Sequence, residues 1–344
     1  MSTITLPELG WNAHFAAQLT DNLIPMRVTD IHKSFIGAIG EDGPERLNMT
    51  LDLVEQGVTV GDWVLKDPET GQPVHVLERQ SLLKRRNART NVDDQLIAAN
   101  VDTLFVVSSC NKDFNVARIE RYLALAHQGG AEPVLILTKA DLADNPGQFE
   151  ADAMRALPGV MVYALDASAE DTPEKLALYC GEGQTVALLG TSGVGKTTLT
   201  NALTGLNQLT QDIRSSDARG RHTTTARSMH RMTAGGWLID TPGMRALRLS
   251  EAREGLEAVF SDIEDLATQC RFNDCAHNAE PGCAVRAAIE AGEIEESRLY
   301  RWQKLMAEDA RNHETIAESR ERYKKLGRLY ATGKNRGDTK RKGH

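Results

Sequence analysis

Thr185-Val-Ala-Leu-Leu-Gly-Thr-Ser-Gly-Val-Gly-Lys-Thr-Thr198 is the stretch on which the reading of the fold turns. A short apolar run ends at Gly190 and passes into Gly190-x-x-x-x-Gly195-Lys196-Thr197, the phosphate-binding loop pattern, with residues 199–206 reading as the helix behind it. Gly190, Gly193 and Gly195 let the backbone turn tightly, so that successive N–H groups point at an anion. The backbone of Thr191, Ser192, Val194 and Thr198 completes the cradle, and the helix adds the positive end of its dipole. Lys196 is expected to reach the β- and γ-phosphates, and the Thr197 hydroxyl to ligate Mg²⁺. The loop lies past the middle of the chain, so something substantial precedes it.

With 344 residues the chain has room for two or three domains. Its 41% hydrophobic and 26% charged content fits a globular class, and no apolar run approaches a membrane span. The N-terminus lacks a basic region followed by an apolar one, so the expected location is the cytoplasm, with no membrane partner. The five cysteines are an odd number, and three cluster near one histidine. That points to a metal site in a reducing compartment and away from a disulfide framework. The net charge of −8 conceals an asymmetry: residues 321–344 carry nine Lys/Arg against two acids, a tail of +7 on a body of −15. A basic tail reads either as a contact to a polyanion or as a solvated end.

Residues 1–24 read as a leader with a short helix near 11–19. Short alternating runs between turn signals at Glu41-Asp-Gly-Pro44, Gly61-Asp62 and Asp67-Pro-Glu-Thr-Gly71 predict an OB-fold-like β-barrel over 25–88. Such barrels often bind oligonucleotides, though the fold alone does not prove it, and a purely structural barrel is the alternative. A basic segment follows, with Lys84, Arg85 and Arg86 adjacent, as a linker or an RNA-facing edge. From Val101 onward apolar strands alternate with helices, which predicts an α/β domain with a parallel sheet over 89–250. Residues 251–330 read as a mainly helical domain around the Cys/His cluster, and 331–344 as the basic tail.

Thr138-Lys139-Ala140-Asp141 follows an apolar strand and so sits where open α/β sheets bind ligands. It is similar to the guanine-reading Asn-Lys-x-Asp motif of GTPases, with Thr138 in the Asn position. The Asp141 carboxylate can accept two N–H bonds from guanine's Watson–Crick edge, a donor pair adenine lacks. The alternative is a helix cap, to which Asp141 is also well suited. Asp240-Thr-Pro-Gly243 resembles the Asp-x-x-Gly motif, in which Asp240 holds Mg²⁺ through water and the Gly243 N–H senses the γ-phosphate; as a sequence it is also a plain turn. Between the phosphate loop and this motif lies Gly220-Arg-His-Thr-Thr-Thr-Ala-Arg227, where Thr224 and Thr225 are both candidates to complete the Mg²⁺ shell. Met244 stands where many GTPases place a water-positioning Gln, and His222 is the candidate to serve instead, against a structural or RNA-contact role. Cys270, Cys275, His277 and Cys283 make a Cys₃His set typical of one structural Zn²⁺. Cys110 and Cys180 are expected to be inert core residues.

In an ordinary GTPase the phosphate loop comes first and the guanine motif last. Here the guanine motif leads, the stretch from Ala164 to Ser168 lies where a guanine-closing loop is expected, and the phosphate loop and switches follow. All the parts are there in rotated order, as a circular permutation produces. The end of the second switch then runs straight into the next domain, so nucleotide state is expected to be read out as movement of the zinc domain.

Barrel, rotated motif order, phosphate loop, Asp240-Thr-Pro-Gly243 and the Cys₃His set together resemble the small-subunit-dependent GTPase family RsgA/YjeQ over residues 25–330. The resemblance implies a slow hydrolase of GTP to GDP, stimulated by the small ribosomal subunit, acting late in that subunit's maturation and touching rRNA through barrel and zinc domain. It is expected to act as a monomer. Two other readings compete: a P-loop kinase or metabolic ATPase with an accessory zinc domain, and a non-catalytic RNA-binding module. The first predicts that ATP competes as well as GTP and that Asp141→Ala leaves GTP preference unchanged. The second is disfavoured by intact Lys196, Thr197 and Asp240.

Overall fold

The structure, a computed structural model, describes residues 4–20, 22–86, 94–206, 227–240 and 252–313. After a 3₁₀ turn at Pro7–Leu9 and a short helix α1 (Ala13–Ala16), the chain forms β1 (Ile24–Ile31), β2 (Phe35–Gly40), β3 (Gly43–Asn48), α2 (Leu51–Gln56), β4 (Trp63–Lys66) and β5 (Pro73–Val76). These strands pair antiparallel in the order β3-β2-β1-β4-β5. Among the described residues no ladder joins β3 to β5, so the unit is an open, bulged antiparallel sheet. Its alternation places Met26, Val28, Ile36, Ala38, Leu47 and Val64 in one buried cluster.

The basic segment is strand in part, as far as Arg86. β6 (Leu82–Arg86) pairs with β7 (Asp94–Ala99) in a two-stranded antiparallel ribbon, which spans the expected boundary at 88/89. The α/β region then runs β8 (Thr103–Ser109), α3 (Val116–Gln128), β9 (Glu132–Thr138), a 3₁₀ turn at Ala140–Leu142, α4 (Pro146–Ala156), β10 (Met161–Ala164), α5 (Thr172–Lys175), α6 (Ala177–Cys180), β11 (Thr185–Leu189), α7 (Lys196–Thr204), β12 (Ser228–Arg231) and β13 (Trp237–Asp240). In space the order is β10-β9-β8-β11-β13-β12, parallel except for β12. The continuous apolar runs of β8, β9 and β11 are buried because helices cover the sheet's faces. Side-chain packing and strand ladders depend on which strands are neighbours, not on where the chain is cut, so a rotated order builds an ordinary sheet.

The leader is part of the core. Trp11, Phe15 and Trp63 pack as an aromatic trio with centroids 4.8–5.9 Å apart, and Trp237 Nε1 donates to Glu8 O at 2.9 Å. Arg27 on β1 is wholly buried; its guanidinium donates to Thr185 Oγ1 (2.8 Å), to Asn100 O (3.1 Å) and to Leu9 O. Burial pulls its pKa down to about 10, against the nearby carboxylates of Asp102 and Asp62, so it stays charged at neutral pH. One cation thus ties leader, first sheet and phosphate-loop strand together.

The C-terminal part is helical: α8 (Arg253–Val259), α9 (Ser261–Ala267), α10 (Ala284–Glu290) and α11 (Glu296–His313). α8 lies against α3 so closely that a Cβ on Gly255 meets the Ala124 carbonyl, while Gly255 N donates to Gln128 Oε1 (3.2 Å). Glu120, fully buried on α3, receives Arg301 Nε at 2.9 Å on both oxygens and Arg298 Nη1 at 3.4 Å. Burial raises the Glu120 pKa, and the two guanidinium groups oppose that rise.

Candidate nucleotide site and metal centre

The phosphate loop leaves the C-terminal end of β11, the central strand, with β8 on one side and β13 on the other. Gly193 and Gly195 take left-handed backbone angles, φ 83° and 91°. Gly195 is the N-cap of α7 and supplies no side chain to it, so the helix's first N–H groups remain for an anion. Lys196 Nζ arcs back over the loop to Gly190 O (2.8 Å) and Thr191 O (2.7 Å), which puts the ammonium inside the loop's curve. Thr197 and Thr198 follow in the first turn of α7, and Ser192 lies exposed at the loop's crest.

The Thr138–Asp141 turn meets this loop from β9. Thr138 is fully buried, with Oγ1 2.5 Å from Val194 O and 3.0 Å from Ser108 O. A hydroxyl has one proton, so it donates to one carbonyl at a time, and the shorter contact is the one onto the phosphate loop. A Cβ on Gly195 would stand 3.2 Å from the same oxygen. Thr138 therefore bridges the Thr138–Asp141 turn to the loop of residues 190–195. Lys139, at φ 60°, adds a second tie through Nζ to Gly193 O (2.6 Å). Ala140 N bonds Leu165 O (3.3 Å), which brings in the loop after β10; there Asp166 accepts from Ser168 N (2.8 Å) and Oγ (2.6 Å). Asp141 is exposed beside these loops.

Asp240 ends β13 opposite Ser228 on β12. Burial raises its pKa; the charges of His230 and Lys196 act the other way. A half-buried carboxylate facing the phosphate-loop lysine suits a divalent cation, and Thr197 offers the hydroxyl on the loop's side. His222, Thr224, Thr225 and Gly243 lie outside the described residues, as does the basic tail. A cavity of about 540 Å³, lined by Arg27, Asn100, Asp102 and Glu132 among others, is at the opposite ends of β8, β9 and β11 and takes no part in this site.

In the C-terminal part, Cys270, Cys275, His277 and Cys283 place their ligand atoms within 4.8 Å of one another. Cys270 Sγ is 3.6 Å and Cys283 Sγ 3.4 Å from His277 Nδ1, and the two sulfurs are 3.9 Å apart. A tetrahedral ion with zinc-like bonds demands edges of about 3.8 Å between sulfurs and about 3.6 Å from sulfur to nitrogen. The donor set fits one such ion through Nδ1. Glu280 organises the ligand loop by accepting N–H bonds from Ala276 (3.1 Å), Asn278 (2.8 Å) and Ala279 (3.0 Å). His277 sits at φ 58°, and its pKa is lowered by burial ahead of the opposing Glu280 and Glu264, which keeps the imidazole neutral for ligation. At Cys270 burial works against the thiolate, but N–H groups of Ala284 and Val285 at the start of α10 help to tip the pKa downward. Cys275→Ser is expected to cut bound metal from about one ion per chain to near zero, checked by elemental analysis of the purified protein. A full metal complement in that variant excludes Cys275 as a ligand. Cys110 and Cys180 are buried with thiol pKa values pushed up by burial, to about 11 and about 12, as inert core residues should be.

Neither Glu120 nor Arg298 stands out as a site in the sequence. The available signal is a charged residue inside the buried stripe of α3, among Ile119, Tyr122 and Leu123.

Fold and strand order together are those of a circularly permuted GTPase. A family model described as RsgA GTPase matches residues 76–250. The chain is 47% identical to the small ribosomal subunit biogenesis GTPase RsgA 2 of Vibrio parahaemolyticus, covering 94% of this chain and 91% of that protein. It is 45% identical to the RsgA of Mesorhizobium japonicum, covering 90% and 92%. Among solved structures, YjeQ from Thermotoga maritima superposes with a TM-score of 0.62 at 27% identity, over 83% of this chain and 98% of that one. YloQ, described as a circularly permuted GTPase, gives 0.62 at 25% identity, over 86% and 98%. The chain belongs to the RsgA GTPase family.

Proposed function

We propose that this protein hydrolyses GTP to GDP and phosphate, is stimulated by the small ribosomal subunit, and acts late in that subunit's maturation. The observation that carries the reading is the Thr138 bridge: a base-reading turn bonded to a phosphate loop makes one continuous site for base and phosphates. Lys196 and the N–H groups of residues 190–198 bind the phosphates, and Asp141 selects guanine. Thr197 and Asp240, with Thr224 or Thr225, would hold Mg²⁺, which supplies charge neutralisation between the β- and γ-phosphates. Gly243 contacts the γ-phosphate and His222 orients the attacking water, in place of the Gln that Met244 displaces. The Cys₃His set holds one structural Zn²⁺. The N-terminal sheet of 25–88 serves as an OB-fold-like unit, the α/β domain spans 89–250 and the zinc domain 251–330. The first and last of these, with the tail from 331, contact rRNA, and the protein works as a cytoplasmic monomer.

GTP turnover measured with and without purified small subunits tests this. Stimulation is expected in the wild type, and in Asp141→Ala the preference for GTP over ATP is expected to collapse. Turnover indifferent to subunits defeats the proposed role, while unchanged turnover in His222→Ala removes only the assignment of the water.

A further inference from the structure

The N-terminal ends of β8, β9 and β11 border the cavity of about 540 Å³, remote from the phosphate loop at the C-terminal end of β11. The leader, β1, the turn before β6 and the connection from α3 to β9 contribute Asn12, Arg27, Gln80 and His127 to its wall. Arg27 is 1% exposed and, with its pKa at about 10, charged at neutral pH. A buried cation is normally met by a carboxylate, because an unpaired charge is costly to desolvate. Arg298 is met in that way by Glu120 and Asp262. Arg27 is not. Its Nη1 and Nη2 donate to uncharged oxygens of Leu9, Asn100 and Thr185, and its Nε is a buried nitrogen with no hydrogen-bond partner. Asp102 and Asp62 act on it only through space.

The same wall carries acids. Asp102 spends one carboxylate oxygen on the Thr185 N–H (2.7 Å). The side chains of Glu132, at the start of β9, and of His127 have no hydrogen-bond or ion-pair partner among the described residues. These three and Arg27 are the titratable side chains of the wall. Burial holds the His127 pKa down, ahead of the opposing Glu132, so at neutral pH the wall carries one cation and two carboxylates. A plain anion drawn to Arg27 is repelled by the acids, and a plain cation drawn to the acids is repelled by Arg27. A molecule carrying both charges escapes both penalties. We propose that this cavity binds a small zwitterion of the amino-acid or dipeptide class, its carboxylate on Arg27 and its ammonium on Glu132. The volume is ample for such a ligand. Because the leader and the α/β sheet share the wall, the bound molecule ties one to the other.

The test titrates the full-length, metal-loaded protein with each non-aromatic L-amino acid and with glycylglycine, up to about 10 mM, with GDP present so that the nucleotide site is not the responder. Trp11 and Trp63 pack on Phe15 of the wall, so tryptophan fluorescence reads the cavity. At least one probe is expected to give a saturable change. Its C-terminal amide lacks the charge for Arg27, and its N-acetyl form lacks the charge for Glu132; each is expected to bind about tenfold more weakly. Glu132 is exposed at the rim, so Glu132→Gln is expected to fold normally and to weaken the free probe by a similar factor. It is expected to leave binding of the N-acetyl form unchanged, which a general distortion of the cavity does not. The absence of a saturable response to every probe overturns the proposal. So does an amide that binds as well as the free acid, or a Glu132→Gln variant that binds the free probe like the wild type.

Discussion

Lys196→Ala is expected to lower GTP turnover by about 10²–10³-fold, with the protein still folded. The side chain does not support the core: its ammonium lies inside the phosphate loop, on the carbonyls of Gly190 and Thr191. On the proposed reading, truncation removes the positive charge that would neutralise the γ-phosphate in the transition state. It also takes away one of the two charges, Lys196 and His230, that act against the upward push of burial on Asp240. Single-turnover kinetics at saturating GTP, with thermal unfolding as a control, check the result. Turnover within a fewfold of wild type excludes Lys196 from the chemistry.

Arg298→Ala is expected to have the largest effect on the architecture. All five guanidinium N–H groups are used: Nε and Nη2 on the two oxygens of Asp262 (2.7 and 2.8 Å), Nη2 on Val259 O (2.8 Å), and Nη1 on Ala156 O (3.0 Å) and Glu120 (3.4 Å). The guanidinium also lies 4.8 Å over the Phe260 ring. Its side chain is 6% exposed and that of Glu120 is 0% exposed. Removing one partner of such a buried pair costs about 3–5 kcal/mol, because the other charge and the carbonyls are left unpaired. The expected result is early unfolding and proteolysis of the C-terminal helices, while the phosphate loop still binds nucleotide. Arg298→Lys is not expected to rescue, since an ammonium has three donors and no planar fork for Asp262. A lysine variant as resistant to protease as wild type contradicts this account.

Much of the candidate site is legible in the linear order because its chemistry is local. The phosphate loop needs glycines at fixed spacing before a helix, and the Cys₃His set needs ligands on one short turn-rich segment, so both leave compact patterns. The strand-helix alternation from Val101 is legible for a related reason: burial on both faces imposes continuous apolar runs. β12 escapes such a reading. Its four residues, Ser-Met-His-Arg, bury only Met229, and the strand exists because the edge of β13 offers a ladder. The β6–β7 ribbon is hidden in the same way, since a basic segment becomes a strand only when its partner is in place. The OB-fold-like barrel expected over 25–88 is read from short alternating runs between turn signals, which give the number of strands but not their partners; the pairing there runs β3-β2-β1-β4-β5, with no ladder joining β3 to β5 among the described residues.

By itself the sequence determined the family, the order of the motifs and which residue types can bind phosphate, guanine and metal, because each rests on neighbours within a few positions. Only the tertiary structure decided what joins them. The Thr138 bridge spans 56 residues, the Glu120–Arg298 pair 178 and the Arg27–Thr185 bond 158. No local pattern encodes a contact at such separation; it exists only once the sheet and helices bring the two groups into one buried place. There the low dielectric makes an unpaired polar group costly, and so makes the pairing specific.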